Sequence, residues 1–438
     1  MINHRSEQRR YEFRLFLSYC VIFYFIPFIL IVIFGNPLEI SYRPRPNYII
    51  GLLYAIMSIL VFWWALTLPR IRFTIPKRTI EDLFYGRRAS IVLTIGFFAI
   101  SVWSAINLGL DFRHKGETLS ELGAIGFVLA IAKIYASTAI LVHYRLVKEG
   151  VDTYLRSAIL FAIGASFIIN IQTSFEFLIA TAAFVGATHK FRRKIKLTGH
   201  QISRASIIVL PVLLVCVFYF GKANKIGSED ALRLISNFDL LFYSFLQRYG
   251  YHMYSLATHT TENFLNFYQG LDAIQEVVKV SLFRLSAIFG LGIERPELGT
   301  VARMNFFVLS DSRLDRIGTS PGMLGSTFFF PGGGFAIFYY VFIIRFVMSL
   351  FWRIAGTKQN SWLFLIVTIL LMATTLDSAP DSFNPLSNGF IRVFFLFLGG
   401  NFILQKLRHS LQNNSAPVNN TQHPKKRAKF SYLVHPAS

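Results

Sequence analysis

The feature that most constrains this chain is a succession of apolar runs long enough to cross a bilayer. The hydrocarbon core is ~30 Å thick, and a helix needs about 20 predominantly apolar residues to span it. Runs of that kind lie near 15–34, 49–68, 90–110, 124–142, 157–172, 173–188, 205–221, 334–352, 361–377 and 386–404. Composition agrees, with 53% hydrophobic and 15% charged residues over 438 positions, where an ordinary soluble domain carries about 25% charged. An all-α polytopic integral membrane protein with about 10 transmembrane helices is expected. The fifth and sixth runs form one apolar stretch broken only by Asn170, Gln172, Thr173 and Ser174, which reads as a tight hairpin or a re-entrant pair.

A net charge of +21 invites a nucleic-acid partner, so where the charge sits decides the matter. With the N-terminus placed in the cytoplasm, the inward segments hold 27 basic and six acidic residues, which is the whole excess. The short outward loops carry only Arg43, Arg45, Arg113 and Lys115. That is the bias of cytoplasmic loops toward Lys and Arg, so no nucleic acid is expected and both termini are read as cytoplasmic. The first run comes after a basic segment but is too long for a cleavable signal's apolar region, and it reads as an uncleaved anchor. Cys20 and Cys216 both fall in apolar runs, so neither a disulfide nor a cysteine metal site is expected.

The organisation implied is an N-terminal membrane bundle over 1–221 with about 7 spans, an extracytoplasmic loop over 222–333, about 3 further spans over 334–408, and a basic disordered cytoplasmic tail over 409–438. The loop has ten basic residues facing ten acids. Ser228 with Glu229 and Asp230 after it marks a helix start, with the acids on the positive end of the dipole. From there 229–258 is expected as one amphipathic helix, a second begins at Thr261–Glu262, and 272–289 is a third. Their apolar faces need cover, so the loop is expected to lie on the outer membrane surface, closing over the bundle.

Several chemistries are missing their signatures. There is no phosphate-binding GxxxxGK[ST], no HExxH, no CxxC and no GxGxxG after a strand, and no D-x-D pair for a metal-bound nucleotide sugar. No cofactor and no metal are expected, although carboxylates alone can hold Mg²⁺. Any energy for chemistry has to arrive with a lipid-borne substrate.

The most specific local feature runs from Arg313 through Arg316, Thr319, Ser320, Pro321 and Gly322 to Gly325. Pro at the first helical position after Thr or Ser is a helix start, whose free N–H groups form an anion site with Arg316 one turn upstream. Its two readings are a capped helix leading into the eighth span and a diphosphate clamp. The pattern R-x-G-T-S-P-G-x-L-G over Arg316–Gly325, with the Gly-rich turn Pro331–Gly334 after it and set in a large outward loop late in the bundle, resembles the Wzy-type O-antigen and oligosaccharide repeat-unit polymerases. The motif resemblance covers about 313–334, and the layout covers the whole chain. It implies a fold related to lipid-linked glycosyltransferases and a reliance on outward-loop arginines. It also implies an undecaprenyl-diphosphate-linked oligosaccharide as substrate, the bacterial inner membrane as location, and a chain-length regulator and flippase of the same pathway as partners, alongside membrane lipid.

The residues themselves supply further candidates. Arg248, Tyr249 and His252 share one turn of the first loop helix, and the i, i+4 spacing puts Arg248 and His252 on one face. A glycan polymerase needs cations for the leaving diphosphate and a base for the attacking hydroxyl. Arg248 and Arg316 suit the first role and His252 the second, with Tyr249, Thr319 and Ser320 as substrate contacts; the plain alternative for His252 is a solvated helical face. Arg284 reads as a phosphate contact or a headgroup anchor, and Arg392, near Asp377 and Asp381, as facing the same outer cavity. Ionisable residues inside spans are costly. Lys133 is therefore expected to pair with Glu176 across the bundle, and Arg345 to snorkel toward its helix end. Phe328–Phe330 and Phe242–Phe245 are candidates to line a groove for the polyprenyl chain. The favoured activity is glycan polymerisation. The alternatives are an O-antigen ligase and a secondary transporter or flippase of lipid-linked glycans.

Overall fold

A computed structural model describes residues 2–35, 46–68, 86–108, 124–171, 174–189, 227–262, 301–310 and 323–355, with isolated positions between 212 and 286. The elements among these residues are helices, without a strand. Three described segments are long and apolar enough to cross a membrane, Ser6–Phe34, Tyr48–Thr67 and Arg87–Asn107. Shorter apolar helices cover Thr153–Ile169, Glu176–Ala187 and Gly333–Phe346. The chain thus has the helical character of a membrane protein. The expected ninth and tenth spans and the tail lie outside the described residues.

The first crossing segment is not a regular helix. Helix α1 (Ile2–Cys20) passes into a π-helical turn (Val21–Phe25), where the Ile26 N–H reaches back to the Val21 carbonyl, before α2 (Ile26–Phe34). Pro27 has no N–H to donate and its ring would crowd the carbonyl a turn earlier, so the ladder widens just ahead of it. Helix α3 (Tyr48–Thr67) starts where the Asn47 side chain accepts from the Ile49 and Ile50 N–H groups at 3.1 and 3.2 Å. At its far end, the Arg345 guanidinium donates to the carbonyls of Ala65 and Leu68, the latter at 3.1 Å. Arg345 thus reaches a helix end, as a snorkelling side chain does, and there caps the carbonyls of a neighbouring helix.

Helices α4 (Arg87–Leu108), α5 (Ala124–Glu149), α6 (Thr153–Ile169) and α7 (Ser174–Ala187) pack together. The pair α6–α7 is the tight hairpin allowed by the sequence, its helices pressed so close that a Cβ on Gly164 would sit 3.0 Å from the Phe184 ring. Lys133 of α5 donates to Glu176 of α7 at 2.7 Å and to the Asn170 carbonyl at 3.2 Å, the expected pairing. Arg156, counted among the cytoplasmic charges, is instead buried, with Nη1 at 3.3 Å from Ser90 Oγ and 3.2 Å from His143 Nδ1.

The middle segment departs most from expectation. The single helix expected over 229–258 is two, α8 (Ser228–Ser236) and α9 (Phe238–Glu262). Asn237 divides them, because its side chain accepts from the Leu240 N–H at 3.1 Å and caps the second helix. Thr261 and Glu262 end α9 and do not begin the expected second helix; the Thr261 hydroxyl bonds back to the Ala257 carbonyl at 2.7 Å. Instead of lying on a surface, the second half of α9 is sunk between α2, the π turn and α3. Gly51 admits it, since a Cβ there would stand 2.9 Å from Ala257 Cα. After α10 (Val301–Ser310) the chain makes two 3-10 turns, Gly325–Phe329 and Gly333–Ala336, and enters α11 (Ile337–Ala355). The capped helix expected to lead straight into that span is thus a pair of tight turns over its described part.

Candidate functional site

From Met253 to Thr260 every residue of α9 is buried, Ser255 and His259 completely. Burying polar groups is costly unless they find partners, and Ser255, His259 and Thr260 do so, while the Thr258 hydroxyl has none among the described residues. Thr260 bonds back to the Leu256 and Ala257 carbonyls at 2.9 and 3.0 Å. The His259 Nε2–H donates to Asn305 Oδ1 of α10 at 2.7 Å, and Asn305 Nδ2 donates to Ser255 Oγ at 2.9 Å. One carboxamide therefore ties together two side chains a helical turn apart on α9. Burial pushes the His259 imidazole down to about 4, with the hydrogen bond to Asn305 opposing the shift, so the ring is neutral.

The 323–336 turns close over this network. The His259 ring stacks on Phe328 at 5.5 Å and meets the edge of Phe329 at 5.2 Å. Gly325 lies so near α9 that a Cβ would come within 2.6 Å of Ser255 Oγ, and a Cβ on Gly334 would meet Phe264 Cε2 at 2.6 Å. The Tyr54 hydroxyl of α3 is hydrogen-bonded to Thr327 Oγ1 at 2.9 Å and to the Gly334 carbonyl at 2.7 Å. The Leu324 N–H donates to the Tyr24 hydroxyl at 2.8 Å, which ties the turn to the π-helical segment. Gly325 and Gly334 are thus needed for close approach of backbone to a helix or ring. Phe328, Phe329 and Phe330 are buried core residues here, not the walls of a groove, because the turn folds them inward onto His259, Phe264 and Tyr340.

The structure places the candidates read from the sequence in different surroundings. His252 is buried, not on a solvated helical face; its ring lies 4.6 Å from Phe23 and 6.3 Å, edge-on, from Tyr24. Tyr249 stacks on Phe245 at 5.4 Å, and burial pushes its phenol up to about 12. Arg248 precedes Tyr249 on the same helix, and only its backbone is described. Arg284, Arg316, Thr319, Ser320 and Arg392 lie outside the described residues. The structure does bring Tyr249 and His252 and the end of the Arg316–Gly325 motif to one place, through Phe23, Tyr24 and Leu324. Sequence reasoning passes over Ser255, His259, Asn305 and Tyr54. A stripe at 252, 255 and 259 within an apolar stretch is the available signal, since spacings of three and four share a helix face. Among the described residues no cluster of three His, Cys, Asp or Glu is placed to hold a metal ion.

Comparison of the chain with protein-family models, curated proteins and solved structures finds no match.

Proposed function

We propose that this chain polymerises undecaprenyl-diphosphate-linked oligosaccharide repeat units, O-antigen or exopolysaccharide, at the outer face of the bacterial inner membrane. One piece of packing supports the reading: the end of the motif, Met323–Gly334, lies against α9, the helix that carries Arg248, Tyr249 and His252. A motif segment and the separate helix that carries Arg248 become neighbours, as a two-substrate transfer requires. In this reading Arg248 and Arg316, with the N–H groups at Thr319 and Ser320, take the charge of the leaving diphosphate. His252 accepts the proton from the attacking hydroxyl as the new glycosidic bond forms and the bond to the diphosphate breaks. Tyr249, Arg284 and Arg392 contact the substrates, and the reaction is a direct displacement by a membrane glycosyltransferase. The ten-span layout, the cytoplasmic termini and a chain-length regulator and flippase as partners belong to the same proposal.

The test is a gel of surface lipopolysaccharide from the native host with the gene deleted. Collapse of the ladder to core plus a single repeat unit supports polymerisation, and complementation with Arg248→Ala and Arg316→Ala then tests the cations. Loss of the single-unit band as well points to a ligase or flippase. An unchanged ladder overturns the reading for O-antigen.

A further inference from the structure

We propose that Asn170 at the end of α6, together with Lys133 and Glu176, is a binding site for a neutral hydroxyl-bearing group, the chemistry of a sugar ring. It uses residues on which the polymerase reading does not draw.

Depth is the first argument. Helices α6 and α7 have 17 and 14 residues, and α5 beside them has 26. At 1.5 Å per residue these are about 25, 21 and 39 Å. Lys133 is the tenth residue of α5, about 13 Å from its first, and it is Lys133 that meets Asn170 and Glu176. Helix α6 therefore ends, and α7 begins, part-way along α5, which leaves a helix carbonyl end and a helix amide end among apolar helices. Such backbone is tolerated within a membrane only where protein or a polar cavity surrounds it.

Charge is the second. Lys133 meets the carbonyl end of α6 at Asn170, and Glu176 lies in the first turn of α7, so each charge complements the dipole end beside it. The two close on each other at 2.7 Å. Together they sum to zero, which disfavours an anion through Glu176 and a cation through Lys133.

The Asn170 amide chooses the ligand. The Asn170 carboxamide is fully buried, and neither Nδ2 nor Oδ1 has a hydrogen-bond partner among the described residues. A buried amide in that condition bears the full desolvation cost of each unmet group. It calls for something uncharged that accepts from Nδ2 and donates to Oδ1, which a hydroxyl does, and adjacent ring hydroxyls do together. Lys133 and Glu176 keep 12% and 11% side-chain exposure while Asn170 keeps none, so of these three groups the ion pair is the part that solvent reaches.

The experiment places a cysteine at Ile171, beside the amide, in a chain carrying Cys20→Ala and Cys216→Ala. Labelling by a membrane-impermeant maleimide is monitored in inverted and right-side-out vesicles. Two probes are used, free D-glucose and monoglucosyl diacylglycerol incorporated in the vesicles. The expected result is labelling from one side, slowed about tenfold by a probe present at ten times its Kd, with protection lost in Asn170→Ala. Protection by glucose assigns a soluble sugar, and protection by the glycolipid alone assigns a lipid headgroup. Should Asn170→Ala fail to accumulate, Asn170→Thr, which retains one hydroxyl, is read instead and keeps partial protection. A cysteine that does not label marks a sealed latch and overturns the proposal. So does labelling that neither probe slows.

Discussion

Asn305→Leu isolates what the buried network at α9 contributes. The side chains are nearly equal in size, so the exchange leaves no room for water to substitute for the lost amide. It strips the acceptor from the His259 Nε2–H, held at 2.7 Å, and the donor from Ser255 Oγ, held at 2.9 Å. Both groups are fully buried, and each lost bond costs about 1–3 kcal/mol, so the variant should lose about 2–6 kcal/mol. The measurement is unfolding of the purified protein in mixed micelles as denaturing detergent is titrated, monitored by far-UV circular dichroism. Adding His259→Phe and Ser255→Ala to Asn305→Leu should return most of the loss, because the two polar groups that lost their bonds are then gone. The new phenyl ring would take the place of the imidazole against Phe328 and Phe329. The reasoning fails if Asn305→Leu unfolds within about 0.5 kcal/mol of the parent, or if the triple variant is no more stable than the single one.

The same geometry fixes three further outcomes. The unfolded chain takes up a proton on His259 near pH 6.5 while the native ring stays neutral to about 4, so stability should fall as pH drops through that window. The loss is at most about 3 kcal/mol, and the parent's extra slope over His259→Phe measures it. Gly334→Ala should cost about 1–3 kcal/mol by overpacking, because Phe264 must yield where a Cβ would stand 2.6 Å away; a melting temperature equal to the parent's would contradict the close approach. Lys133→Met leaves Glu176 buried without its cation and should cut accumulation in membranes sharply, at a cost of about 3–5 kcal/mol. The exchange Lys133→Glu with Glu176→Lys should restore it, and equal accumulation of the single variant and the parent would show that the pair bears no load.

The crossing helices are legible to within a few residues, since the runs 49–68 and 90–110 correspond to Tyr48–Thr67 and Arg87–Leu108. Hydropathy over 20 residues averages away local detail, and the membrane imposes length on the remainder. The Lys133–Glu176 pair is legible for a related reason, as two costly charges in apolar surroundings have few partners to choose from. The burial of α9 is not. Ser255, Thr260 and His259 lower its mean hydropathy, and they are tolerable inside because of an amide 50 residues away in sequence and two self-satisfied turns of helix. The division at Asn237 is visible, with an Asx cap and then Asp239, but the stronger start at Ser228 masks it. Of the candidate site, Tyr249 and His252 are found by helical spacing, while Tyr54 and Tyr24 belong to helices whose polar tips meet the motif only after the bundle has assembled.

The π turn between α1 and α2 gives the chain's arithmetic some slack. One residue taken out between Val21 and Phe25 would let ordinary α-helical hydrogen bonds close across the gap, a local gain. Five residues on the π turn sweep nearly the angle that four sweep on an α turn, so α1 would keep its face toward the core and Leu15, Phe16 and Tyr19 would stay buried. A residue taken out of the regular helix α3 has no such outlet and would swing everything before it by about 100°. The first crossing segment should therefore tolerate the loss of a residue within the turn better than α3 tolerates one.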